Sequence, residues 1–211
     1  MSDQYLSKIQ AAFLDYLNKI SQPKILEFGV RHGVSTKMFL DVCEKKDGHL
    51  YSVDVDDYSN KFISDKWTFI HSRDDNFKII EKIIPNKVDI IFLDSFHNAS
   101  HVEKIFYHYY PILKNQGIFV IDDISWIIYS KNKKRDNFNS EINNYETFFK
   151  ILNIYNANED NFKLSFDFIG SGIAKITKLN DKKLNFKKKI IIRKNSFKNF
   201  IRKIFIFFKI I

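Results

Sequence analysis

The segment Ile25-Leu26-Glu27-Phe28-Gly29-Val30-Arg31-His32-Gly33 decides the fold. It joins a short apolar run to a turn with two glycines, and a helical pattern follows over Val34–Glu44. That is one strand–turn–helix unit. Glycines in the turn let the backbone approach a ligand over the helix N-terminus. A dinucleotide fingerprint needs G-x-G-x-x-G. The pattern here is E-x-G-x-x-x-G, without the middle glycine, so a pyrophosphate is poorly cradled. Alone, the turn reads equally well as a tight connection with no ligand. The next strand, His49–Val55, contains Tyr51-Ser52-Val53-Asp54. A carboxylate there is placed to take two ribose hydroxyls. The competing reading is a solvated turn aspartate.

Working outward, strands and helices alternate. An amphipathic helix over 3–20 carries Tyr5, Ile9, Phe13, Tyr16 and Leu17 at helical spacing, and Pro23 follows it. Strands are expected at Lys24–Val30, His49–Val55, Trp67–His71, Val88–Phe96 and Gly117–Ile124. Helices are expected at Val34–Glu44, Lys61–Ser64, Asp75–Ile84 and Ser100–Leu113. The near-continuous apolar run of Val88–Phe96 suits a strand buried on both faces. After a long polar loop over 125–140, with the character of a lid or a disordered segment, come a helix at Glu141–Tyr155 and two strands, Phe162–Ile169 and Ile173–Leu179. Gly170-Ser171-Gly172 between them is a hairpin signal. The expected fold is α/β: a Rossmann-like three-layer sandwich with a mostly parallel seven-stranded sheet and a C-terminal antiparallel hairpin.

Composition narrows the class. With 45% hydrophobic and 28% charged residues among 211, the chain is an ordinary globular protein. A single cysteine, Cys43, excludes a disulfide scaffold or a cysteine zinc cluster. The net charge of +9 is not spread evenly. Residues 182–211 hold 11 Lys/Arg and no acid, which leaves 23 bases against 25 acids in 1–181. The body is near neutral, so no nucleic-acid partner is expected. The division follows: a domain over 1–180 and a basic amphipathic tail over 181–211. The first residues lack the apolar core of a signal peptide, and no run is long enough to span a membrane. The expected location is the cytoplasm, or the inner face of a membrane if the tail docks there.

The glycine turn, Asp54, the fourth strand and the terminal hairpin resemble the Rossmann-like S-adenosylmethionine-dependent methyltransferases over about residues 20–180. The resemblance implies that the turn Glu27–Gly33, with Glu27, Gly29 and Gly33, holds the methionine part and Asp54 the ribose. It also implies that the loop His71-Ser72-Arg73-Asp74-Asp75 contacts adenine, which singles out Ser72 and Asp74.

Two further segments carry chemistry: Asp89-Ile90-Ile91-Phe92-Leu93-Asp94-Ser95-Phe96-His97, and Gly117-Ile118-Phe119-Val120-Ile121-Asp122-Asp123. Parallel strands place ligand sites at their carboxyl ends, so Asp94, Asp122 and Asp123 converge beside the cofactor. Like-charge repulsion would raise their pKa values. A divalent cation would relieve it, and an all-oxygen set suits Mg²⁺ or Mn²⁺. The other reading is that Asp122 and Asp123 cap the following segment while Asp94 binds cofactor alone. The D-S-x-H element and the Asp-Asp strand end resemble the macrocin O-methyltransferase and cephalosporin-hydroxylase-like branch. That resemblance implies Mg²⁺ on these acids and a histidine, His97, at the acceptor site. The usual pair of glycines before the fifth strand is Gln116-Gly117 here. His101 and His108 lie along a helix and read as surface or packing residues. There is no [N/D]-P-P-[F/Y] for amino methylation, and Cys43 sits inside a helix, away from any nucleophilic role.

The expected function is therefore methyl transfer to a hydroxyl, Mg²⁺-assisted, with Asp94 and His97 at the reaction and a small molecule or glycan as acceptor. The rivals are a metal-independent small-molecule methyltransferase and a non-catalytic scaffold docked by its tail. In the tail, Phe197, Phe200, Ile201, Ile204, Phe205, Phe208 and Ile211 recur at spacings of three and four. This basic amphipathic helix is suited to an anionic membrane surface, or else it packs against the body or a second subunit. Homo-oligomerisation is left open.

Overall fold

A computed structural model describes residues 2–208. Helix α1 (Ser2–Lys19) leads into the sheet. Its end is capped by Lys46, whose ammonium donates to the carbonyls of Leu17 (2.6 Å) and Ile20 (2.9 Å). Then follow β1 (Lys24–Phe28), α2 (Val34–Lys46), β2 (His49–Asp54), β3 (Trp67–His71), α3 (Phe77–Ile80) and β4 (Val88–Leu93). The second half comprises α4 (Ala99–Tyr109), β5 (Leu113–Asp122), α5 (Phe138–Tyr155), β6 (Phe162–Asp167), β7 (Ile173–Lys178) and α6 (Phe197–Phe207).

The seven strands lie in the order β3-β2-β1-β4-β5-β7-β6. The first five are parallel; β7 is antiparallel to both β5 and β6. The expected Rossmann-like sheet is present, with the last strand of the chain inserted second from the edge. Alternate residues of each strand feed two cores. Ile25, Leu50, Ile90, Phe92, Ile118 and Val120 face α1 and α2, where Ile9, Phe13 and Phe39 pack. Leu26, Phe28, Ile91, Leu93, Phe119 and Ile121 face the layer built from Val102, Phe106, Ile151 and Ile154 of α4 and α5. Cys43 lies buried in the first core.

Several expected boundaries move. Residues 61–64 form no helix: Ser64 Oγ accepts from Lys66 N (3.3 Å), a local side-chain bond that competes with helix. The helix expected over Asp75–Ile84 keeps only Phe77–Ile80, then continues as turns before Pro85. β4 stops at Leu93 and β6 at Asp167, and α4 gives way to a 3₁₀ turn before Leu113 opens β5. The long loop shrinks, because Ile127–Tyr129 forms a 3₁₀ turn and α5 starts at Phe138. Gln116 adopts φ 64°, the left-handed conformation that a glycine at that place would supply. Among the described residues no helix is long and apolar enough to cross a membrane.

Candidate functional site

The first turn is built around its glycines. Gly29 has φ 99°, and a Cβ there would lie 2.1 Å from the carbonyl oxygen of Asp94. Only glycine lets β1 come this close to the end of β4. Gly33 has φ 76° and precedes α2; a Cβ would meet the side chains of Lys61 and Phe62 at 2.6 and 2.9 Å. A groove of about 620 Å³ opens beside it, lined among others by Leu6, Gln10, His32, Met38 and Phe62. Asp54 is half-buried at the end of β2. Its Oδ2 accepts from the amides of Val30 (2.7 Å) and Arg31 (3.3 Å), so it orders the turn it faces.

Glu27, expected at the cofactor, lies in β1 two residues before Gly29. It is fully buried, and its carboxylate accepts from Ser35 Oγ (2.6 Å), Thr36 Oγ1 (2.8 Å) and Ser52 Oγ (2.7 Å). It ties β1, α2 and β2 together from within, and burial pushes its carboxyl up to about 7. Asp74, expected near adenine, is likewise committed: Ser95 Oγ donates to it at 2.5 Å and His101 Nε2 lies at 2.8 Å. Ser72 Oγ donates to the neighbouring Arg73 carbonyl (3.2 Å) and is half-buried. His101 is thus a packing residue, as is His108, which stacks on Phe77 (3.5 Å between centroids) and reaches Glu81 at 2.8 Å.

The carboxyl ends of β4 and β5 bring the remaining candidates together. His97 Nε2 lies 3.5 Å from Asp94 Oδ1 and 3.4 Å from Asp123 Oδ2. All three side chains are partly exposed. Asp123 adopts φ 57°, a left-handed conformation that aspartate tolerates, at the point where the chain leaves β5. Asp122 is different. Its side chain is 2% exposed and accepts from the ammonium of Lys8 (2.5 Å), itself 3% exposed. Lys8 also donates to Ser171 Oγ (2.8 Å) in the hairpin turn. Tyr5, one turn earlier on α1, donates to Asp94 Oδ2 (2.5 Å). Burial and the nearby Asp122 and Asp123 hold the Asp94 carboxyl well above the usual range. Burial likewise raises Asp122, against the pull of Lys8.

Sequence reasoning missed Tyr5 and Lys8. Their one signal is that they sit at i and i+3 on the same side of α1 as its apolar stripe.

Three hard carboxylates suit Mg²⁺ or Mn²⁺ in kind, but their arrangement divides them. The charge compensation assigned to a divalent cation is supplied to Asp122 by Lys8. Among the described residues no three His, Cys, Asp or Glu side chains gather as a metal site requires. The three-acid centre of Asp94, Asp122 and Asp123 is not assembled, and the residues as placed do not fit the ion.

Residues 26–124 match the family model described as a methyltransferase domain. No curated protein matches the sequence. Among solved structures, the MycE methyltransferase from the mycinamycin biosynthetic pathway, in complex with Mg and SAH, is 22% identical. The match has a TM-score of 0.60 and covers 84% of this chain and 50% of MycE. The chain thus spans about half the length of MycE, whose structures include one with mycinamycin VI. A Staphylococcus aureus protein described as a caffeoyl-CoA O-methyltransferase is 19% identical over 82% of each chain, with a TM-score of 0.61. SAH-bound PaMTH1 from Podospora anserina is 13% identical, with a TM-score of 0.60, over 85% of this chain and 88% of its own. At these identities the structures establish a shared fold.

Proposed function

We propose, on the premise that residues 26–124 form a methyltransferase domain, that the chain transfers a methyl group from S-adenosylmethionine to a hydroxyl oxygen. One observation carries the choice of oxygen: His97 stands between Asp94 and Asp123, at 3.5 and 3.4 Å, beside the Gly29 turn. S-adenosylmethionine, when bound, supplies an electrophilic methyl on a sulfonium. The chain's own residues then have three tasks. Asp54 and the turn it orders hold the donor's ribose. Asp94 and Asp123 accept hydrogen bonds from the acceptor and align its hydroxyl. His97 takes the hydroxyl proton as the oxygen–methyl bond forms. The S–CH₃ bond breaks with its electron pair going to sulfur, which leaves the neutral thioether S-adenosylhomocysteine.

The acceptor class is a sugar, a glycan or a glycosylated small molecule. Two half-buried carboxylates within one histidine's reach suit a substrate with several hydroxyl donors. The likeness to MycE, solved with mycinamycin VI, supports a natural-product acceptor. No step is routed through Mg²⁺, because Lys8 holds Asp122. Incubation with S-adenosylmethionine and a panel of hydroxylated acceptors, read by mass spectrometry for one added methyl, tests the reaction. Activity should persist in excess EDTA. Loss in EDTA with recovery on added Mg²⁺ would replace this reading with a metal-assisted one. A chain that gains no thermal stability from S-adenosylhomocysteine would be a scaffold without the donor site.

A further inference from the structure

The tail divides at Ile190. Up to there it is fastened along α4 and α5. The Asn185 amide donates to Asn158 Oδ1 (2.7 Å), the Lys188 amide to Asn153 O (2.9 Å), and the Ile190 amide to Asn153 Oδ1 (3.0 Å). The Lys187 ammonium pairs with Glu103 at 2.5 Å. Residues 185–190, which the sequence assigns to the tail, thus run along the body. Among the described residues beyond Ile190 the hydrogen bonds are local to the tail, such as Ser196 N to Arg193 O (3.1 Å).

Helix α6 starts with Ser196 as its cap, whose Oγ accepts from the Asn199 amide (3.2 Å). None of its residues is buried. Winding at about 100° per residue, Phe197, Phe200, Ile201, Ile204, Phe205, Phe207 and Phe208 fall within one arc of about 160°. Lys198, Asn199, Arg202 and Lys203 fall on the other side, with Ile206 the one apolar residue among them. The apolar arc is open: Phe197 and Phe207 are 77% and 80% exposed. Lys209, Ile210 and Ile211, the end of the expected run, lie outside the described residues.

We propose that α6 lies in the surface of an anionic lipid bilayer, its phenylalanine and isoleucine face among the acyl chains and its bases at the headgroups. This is independent of the methyl-transfer reading. Charge chooses the occupant. From Lys188 to Lys203 the tail carries seven bases and no acid. A second copy docked face to face would bring two such basic rims together, whereas an anionic lipid surface neutralises one. A nucleic acid would match the charge but has no use for the phenylalanine face. Long basic side chains flanking an apolar arc are placed to reach the headgroups while the rings insert.

The test is sedimentation of the full chain with phosphatidylcholine vesicles, with and without phosphatidylglycerol. Wild type should pellet with the anionic vesicles, less so as salt rises, and stay in solution with pure phosphatidylcholine. Each base removed should lower partitioning about fivefold, so Arg202→Gln with Lys203→Gln should lower it about 25-fold. Phe200→Asp and Phe207→Asp should abolish it. All three variants should keep the wild-type melting temperature, since none of the four substituted side chains is buried. The proposal is overturned if wild type ignores anionic vesicles at low salt, or if the Asp variants pellet like wild type. It is equally overturned if the apolar face instead supports a dimer in light scattering that Phe200→Asp dissolves.

Discussion

Replacing Lys8 by Met tests the account of the acidic edge most directly. The ammonium is 3% exposed, its partner Asp122 is 2% exposed, and they are 2.5 Å apart. Methionine fills a similar volume but leaves a buried carboxylate without its cation, with Asp94 and Asp123 close by. Breaking one side of a buried pair costs about 3–5 kcal/mol, a large share of the roughly 5–15 kcal/mol that holds a domain together. Chemical denaturation followed by circular dichroism at pH 7 should show that loss. Asp122→Asn alone also leaves a partner unmet, so the double variant Lys8→Met/Asp122→Asn should be less destabilised than the two single losses summed. A coupling of about 2 kcal/mol or more is expected. Divalent cations give a second readout: Mn²⁺ should raise the melting temperature of Lys8→Met, where Asp122 is freed, more than that of wild type. The reasoning fails if Lys8→Met unfolds within about 0.5 kcal/mol of wild type, or if the two substitutions simply add.

Asp54→Ala should weaken S-adenosylhomocysteine binding at least tenfold in calorimetry, since charge-assisted hydrogen bonds contribute about 1.5–3 kcal/mol; wild-type affinity would remove Asp54 from the donor site. His97→Ala should lower kcat by about 10²–10⁴ with little change in the acceptor KM, and an unchanged kcat would end its role as base. Glu27→Gln bears on pH. Burial holds the folded carboxyl at about 7, above its ordinary 4.5, so the folded state binds the proton more tightly than the unfolded one. The stability this contributes is full below pH 4.5 and is lost as pH rises through 7. In Glu27→Gln the denaturation midpoint should vary less across that window; an equally steep fall would show that Glu27 is not its source.

The seven strands and their sense were legible because each is a compact apolar run with turn residues at its ends, and Gly170-Ser171-Gly172 marked the hairpin. Helix boundaries were not, where side chains overrode periodicity, as Ser64 does at Lys66. The meeting of Asp94, His97 and Asp123 followed from topology alone, because parallel strands deliver their ends to one edge. What stayed hidden were contacts between distant parts of the chain. Nothing near Glu27 in sequence announces that Ser52 will join Ser35 and Thr36 on its carboxylate. Lys8 lies beside the apolar stripe of α1, and nothing in the sequence says that Asp122, 114 positions away, will meet it. Like charges at the edge call for a compensating cation, and for Asp122 that cation is a lysine from the other end of the chain.

The joining of Lys8 to Asp122 and Ser171 also bears on how the protein comes into being. The three are separated by 114 and 163 positions along the chain. During synthesis, the first core can collect on α1, β1 and α2 early. The pocket of the lysine closes only after β7 has emerged and slid between β5 and β6. Long-range closure of this kind is slow. Until it happens, a nearly complete sheet exposes an unpaired β5 edge beside an unneutralised aspartate. A nascent chain arrested before residue 171 would therefore carry every residue of the proposed catalytic trio and still lack a finished site.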